Sequence, residues 1–124
     1  PAVRYGERGA IAQLTRLLFV CSRNRLRSPT AEAVFTRYEG IEAISAGTAK
    51  DAETPLTADL IDWADIVFVM EKAQRAWVTQ RFRAWLRDKR LVVLGIPDNY
   101  AFMDPDLVRL LERKVASHLR KKAD

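Results

Sequence analysis

Two stretches of this chain, Leu17-Leu18-Phe19-Val20 and Ile66-Val67-Phe68-Val69-Met70, are apolar at every position and no longer than a strand. A strand with one wet face alternates apolar and polar residues. An unbroken apolar run is covered on both faces, as in a parallel sheet packed between two layers of helices. Shorter apolar segments at Ile41 to Ala46 and Leu91 to Leu94 read as two more strands. Between and after the four lie stretches with helical spacing at 29–38, 55–63, 71–86 and 105–120, the first closed by Gly40. Strands alternating with helices in this way predict an α/β domain. With 124 residues, 48% of them hydrophobic, the chain is long enough for one core. The pattern is weak over residues 1–15, expected to be a leader or mobile arm, and residues 16–124 are expected to form the single domain.

The first strand runs directly into Cys21-Ser22-Arg23-Asn24-Arg25-Leu26-Arg27-Ser28-Pro29. A loop that leaves a buried strand and enters a helix can turn several backbone N–H groups toward one point, where the helix dipole adds partial positive charge. Such a cradle suits a tetrahedral oxyanion. A cysteine at its start places sulfur beneath that point, where amides and guanidinium groups stabilise a sulfur anion and so a nucleophile. An arginine at the far end can grip two phosphate oxygens and then stabilise the transferring phosphoryl group. Cys21 and Arg27 fit these roles, with Ser22, Arg23, Asn24, Arg25, Leu26 and Ser28 completing the loop.

This stretch resembles the low-molecular-weight protein tyrosine phosphatase family, whose loop reads Cys-x-Gly-Asn-x-Cys-Arg-Ser, usually followed by Pro. Cys21, Asn24, Arg27, Ser28 and Pro29 match; Arg23 replaces the family's Gly and Leu26 its second Cys. Either Arg23 keeps an ordinary backbone conformation or the loop is reshaped, since a positive φ suits Gly and not Arg. Without a second thiol, no internal disulfide can protect Cys21 from oxidation. Ser45-Ala46-Gly47-Thr48 resembles the family's second-strand exit, and the resemblance implies a supporting network in which Asn24 and Ser45 hold the loop open while Ser28 donates to the nucleophile. It also implies a four-stranded parallel sheet in the order 2-1-3-4 with helices on both faces, the phosphate loop lying at the carboxyl ends of the strands. The segment between Thr48 and Asp65 is short for the family, so substrate recognition is expected to differ.

Displacement by sulfur leaves an alkoxide or phenoxide that an acid must protonate, and the same carboxylate can later activate water. Ile96-Pro97-Asp98-Asn99-Tyr100 resembles the family's general-acid loop, which makes Asp98 the expected acid. Asp104, in the chain's one Asp-Pro pair, is the alternative, although its position also suits the start of the last helix. Tyr100 and Phe102 are candidates for a pocket rim beside an aromatic substrate, or else for core packing. Arg23 and Arg25 are expected to add positive potential at the mouth or to face solvent, one of each.

The implied activity is hydrolysis of a phosphomonoester, with phosphotyrosine protein as the family's substrate, inorganic phosphate and similar oxyanions as ligands, and no metal or other cofactor. Two other readings are carried: a non-catalytic phosphate-binding or phosphoprotein-binding module, and an arsenate reductase, which would need an external thiol because Cys21 is the sole cysteine. The formal net charge of +5 raises nucleic-acid binding as well. The basic residues are dispersed and accompany no nucleic-acid motif, so they read as solvated helix faces. Trp63, Trp77 and Trp85 are expected in the core or between helices, and the lone His118 cannot make a metal site of the usual kind. No apolar run reaches membrane-spanning length, and a cytoplasmic setting is expected.

Overall fold

The computed structural model describes residues 14–123, and the side chains of residues 14–119. The expected leader therefore lies outside the described residues, except that Thr15 already belongs to the sheet. Four strands, β1 (Thr15–Cys21), β2 (Ile41–Gly47), β3 (Ile66–Val69) and β4 (Arg90–Val93), alternate with four helices, α1 (Arg27–Phe35), α2 (Ala58–Trp63), α3 (Lys72–Phe82) and α4 (Pro105–Ala123). The sheet order is β2-β1-β3-β4 and each pairing is parallel, as the resemblance implied.

The side-chain alternation of the strands divides the core in two. Leu17, Phe19 and Cys21 of β1 face one way with Ile66 and Phe68 of β3, under Ala31, Val34 and Phe35 of α1 and Leu107, Leu111 and Val115 of α4. The Phe19 ring is stacked against Phe35 at 5.6 Å and Phe68 at 5.2 Å. Leu18, Val20, Val67 and Val69 face the other way, under Leu56, Ile61 and Val78. Every residue of β1 from Leu17 to Val20, and all of β3, is fully buried, which is why both strands read as unbroken apolar runs. β4, an edge strand, is only half-buried.

Two expectations are corrected. The helix expected over 71–86 ends at Phe82 and gives way to a 3-10 turn at Arg83–Trp85. Phe82 leaves the helical conformation, with φ −125 and ψ 29, and its ring packs toward Trp77 and Trp85. Trp85 consequently lies on the surface, 45% exposed, whereas Trp63 and Trp77 pack against the core as expected. The sheet register brings the carboxyl ends of β1, β2 and β3 to one edge, with Cys21 opposite Gly47 and Val20 opposite both Ala46 and Val69. That edge carries the candidate site.

Candidate active site

Cys21 is the last residue of β1, and the loop after it is held from outside. The carbonyls of Cys21, Ser22 and Arg23 accept hydrogen bonds from the N–H groups of Thr48 (3.0 Å), Ala49 (2.9 Å) and Glu53 (3.1 Å). Three successive carbonyls thus turn outward toward segment 48–53. The left-handed turn the loop needs falls on Asn24, φ 60, while Arg23 keeps a negative φ. Asparagine tolerates that region better than most residues, so an arginine in place of the family's glycine is accommodated. Gly47 is required for another reason: a Cβ there would lie 2.5 Å from the Ser22 carbonyl oxygen and 2.6 Å from Ala52 Cβ. The loop and the β2 exit touch backbone to backbone.

Inside the loop the polar groups are paired in series. Cys21 Sγ lies 2.9 Å from Ser28 Oγ and accepts from the Asn24 N–H at 3.3 Å. The Asn24 side-chain amide donates to Ser28 Oγ at 3.0 Å, and its oxygen accepts from the Thr54 N–H at 3.0 Å. Ser28 Oγ thus meets the Asn24 amide, the Cys21 sulfur at 2.9 Å, where either atom can donate, and the Ala46 carbonyl, to which it donates at 3.5 Å. Ser28 and Cys21 are in contact, while the Ser45 hydroxyl does not reach Asn24: it donates to Glu32 Oε1 at 2.6 Å, and the Asn24 oxygen accepts from the Thr54 N–H. Ser45 sits opposite Phe19 on the face of β2 that meets α1, and its reach is to that helix.

Arg27, the first residue of α1, is 3% exposed. Its Nη1 donates to the Ile96 carbonyl at 2.7 Å and lies 3.2 Å from Glu71, and its Nε lies 3.6 Å from Asp98 Oδ1. This one guanidinium joins the phosphate loop, the start of α3 and the loop after β4. Asp98 lines a cleft of about 250 Å³ together with Cys21, Ser22, Arg23, Arg25, Leu26 and Arg27. Asp104 stands elsewhere, its Oδ1 accepting from the Asp106 N–H at 2.9 Å in the first turn of α4. Neither Tyr100 nor Phe102 lines the cleft. Tyr100 packs against the core beneath α1 and α4, and Phe102 is 52% exposed. Both Arg23 and Arg25 line the mouth, each half-exposed and paired with an acidic residue of the neighbouring segment, Asp51 at 3.2 Å and Glu53 at 3.5 Å.

One supporting residue was not anticipated. Gln74, 3% exposed, accepts from the Met70 and Glu71 N–H groups, both at 2.9 Å, and donates to Ser22 Oγ at 3.2 Å. Its Oε1 also completes a capping box with Glu71 at the start of α3. A glutamine three residues after Glu71 is the visible signal of the cap, but its bond to the phosphate loop spans 52 residues and has no local signature. His118 lies far from this cleft, its Nδ1 2.9 Å from Arg90. Among the described residues no group of His, Cys, Asp and Glu side chains could hold a metal ion, and no helix is long and apolar enough to cross a membrane.

A buried cysteine at a strand end is thus cradled by a loop that closes on an arginine and is faced by a carboxyl, an arrangement able to hold an oxyanion beside a nucleophile. Residues 16–63 match the model of the low molecular weight phosphotyrosine protein phosphatase family. The match spans fewer than half of the residues, and over that segment the chain is similar to the family. No curated protein matches the sequence. Solved structures share the fold at low identity. The tyrosine phosphatase Wzb from Escherichia coli K30, in complex with phosphate, is 22% identical over 88% of this chain and 99% of its own, with a TM-score of 0.68. Vibrio vulnificus Wzb in complex with benzylphosphonate is 22% identical over 87% and 99%, with a TM-score of 0.69. The YwlE arginine phosphatase from Geobacillus stearothermophilus is 23% identical over 87% and 94%, with a TM-score of 0.65.

Proposed function

We propose that this protein hydrolyses phosphate monoesters through a cysteinyl-phosphate intermediate. The observation that carries this reading is the position of Cys21 Sγ, 2.9 Å from the Ser28 hydroxyl and 3.3 Å from the Asn24 N–H, in one cleft with Arg27 and Asp98. Both donors lower the energy of a sulfur anion. The substrate phosphate occupies the loop with Arg27 on its oxygens. Sulfur attacks phosphorus from below, the S–P bond forms as the ester P–O bond breaks, and the leaving oxygen takes the proton of Asp98. Water then attacks phosphorus and gives its proton to the Asp98 carboxylate. The S–P bond breaks, its electron pair returning to sulfur, and inorganic phosphate departs.

Two of the proteins sharing the fold are described as a tyrosine phosphatase and an arginine phosphatase, and a YwlE mutant is described with a phosphorylated active site serine. They support phosphoryl transfer to the loop's first residue and leave phosphotyrosine protein as the first substrate to try. A nucleophilic cysteine with no second thiol in the chain suits a reducing compartment such as the cytoplasm.

The test is hydrolysis of para-nitrophenyl phosphate by the wild type and by Cys21→Ser, with chelator present, between pH 5 and 8. Turnover that disappears in the variant supports the mechanism. Turnover that survives it, or well-folded reduced protein that never turns over, overturns the reading.

A further inference from the structure

From the lining of the cleft we infer that the substrate carries a second anionic group beside the scissile phosphate, received by Arg25 and Arg23. This rests on the phosphatase reading and goes further by naming a substrate class. Arg27 is buried and committed to the phosphate position by its bond to Ile96. Arg23 and Arg25 differ from it in every respect that matters. Their side chains are 59% and 50% exposed, they line the mouth and not the floor, and each rests on a solvent-exposed carboxylate, Asp51 or Glu53.

Such exposed ion pairs are weak and exchange readily with an incoming anion. The backbone that bears the two carboxylates is fixed beside the loop by the bond from the Glu53 N–H to the Arg23 carbonyl and by the Thr54 bond to Asn24. Both arginines line the cleft while paired in this way, and an anionic substrate group at the mouth can take the carboxylates' place. The remaining lining points the same way. Leu26 is its one large apolar side chain, and no aromatic ring lines the cleft to stack on a plain phenol. Discrimination at this mouth is electrostatic.

The experiment compares matched esters that differ only in charge: meta- and para-carboxyphenyl phosphate against the corresponding carbamoylphenyl phosphates. A phosphotyrosyl peptide flanked by Glu is compared in parallel with its Gln counterpart, so that the arms separate a small anionic ester from an acidic protein segment. In at least one arm the wild type should favour the acidic member by about 5-fold or more in kcat/KM at low ionic strength, with the ratio falling toward 1 in 0.5 M salt. Arg23→Gln/Arg25→Gln should bring that ratio below about 2 whatever it does to the absolute rates, and Asp51→Asn/Glu53→Gln should raise it. A wild-type ratio near 1 in both arms overturns the inference. So does a ratio that survives loss of both arginines, because the attraction would then belong to the net charge of the chain. If no ester is hydrolysed, the phosphatase reading fails separately. The charge preference is then read from calorimetric binding of the matched carboxyphenyl and carbamoylphenyl phosphonates, and equal affinities overturn it.

Discussion

Cys21, Asn24, Arg27 and Ser28 are each at most 4% exposed and each is held by at least one hydrogen bond to another part of the chain or of the loop. Across the cleft, the Asp98 side chain is 61% exposed and approaches one partner, Arg27, at 3.6 Å. The loop that bears it is hydrogen-bonded near its ends, with Tyr100 packed against the core between them. Ile96 is buried, donating to the Met70 carbonyl and accepting from Arg27, and the Met103 N–H donates to Thr30 Oγ1 at 2.9 Å. The contrast suits the work each side would do in the proposed mechanism. An anion cradle stabilises charge only if its donors are already aimed, whereas an acid must meet leaving groups of different shape and later a water molecule.

The most severe way to break the contrast is Arg27→Lys, because that residue belongs to both sides. Lysine keeps the charge but loses the planar fork, so kcat/KM for para-nitrophenyl phosphate should fall about 10³-fold or more. A fall below about 10-fold would mean that a point charge suffices. Asp98→Asn tests the pliable side alone. It should cost about 10²–10³-fold in kcat for phenyl phosphate, far less for the better leaving group of para-nitrophenyl phosphate, and leave stability to urea within about 0.5 kcal/mol. Equal losses on both esters would remove Asp98 from the acid role and return attention to Asp104.

Gln74→Leu tests the rigid side through a residue outside the cleft lining. It removes the side-chain acceptor of the Glu71 N–H, one of the two acceptors of the Met70 N–H, which keeps the Val20 carbonyl, and the donor to Ser22 Oγ, so urea denaturation should show a loss of about 1–3 kcal/mol. If Gln74 positions the loop, kcat should also fall about 10-fold while Gln74→Glu restores part of it; an unchanged kcat would confine Gln74 to the helix cap. The smallest effect belongs to Tyr38, which lies away from both loops. Burial and the neighbouring Glu112 raise its pKa above the ordinary value of 10.0. Because the folded value lies above the unfolded one, the stability it contributes is present below about pH 10 and is lost as pH rises through the folded value. In Tyr38→Phe, urea midpoints should decline less steeply above pH 10 than in the wild type; parallel curves would discount the contribution.

The parts of this molecule legible in its sequence are those whose causes are local. The unbroken apolar runs exist because β1 and β3 are covered on both faces, and the Cys-to-Arg spacing exists because one short loop must span one anion. Ser45 was read through an analogy to a long-range partner, and a different neighbour, Glu32 of α1, holds it. Gln74 was invisible because the residue it serves lies on another strand's exit. Trp85 misled because helical spacing continues past Phe82 although the helix does not. Phe102 misled because an aromatic residue near the Asp98 loop suggests a wall, while in the fold it is exposed and does not line the cleft.

The bond between Arg27 and the Ile96 carbonyl closes 69 residues of chain. Its two ends follow the first and last strands of the sheet, and β3 lies between those strands. A ribosome must deliver nearly the whole domain before the guanidinium has its seat and the acid its approach. A partly made chain would carry the nucleophile long before it carried the means to use it. On the proposed mechanism, competence to transfer phosphate would in this sense be a stamp of completed assembly, issued only when the fourth strand docks.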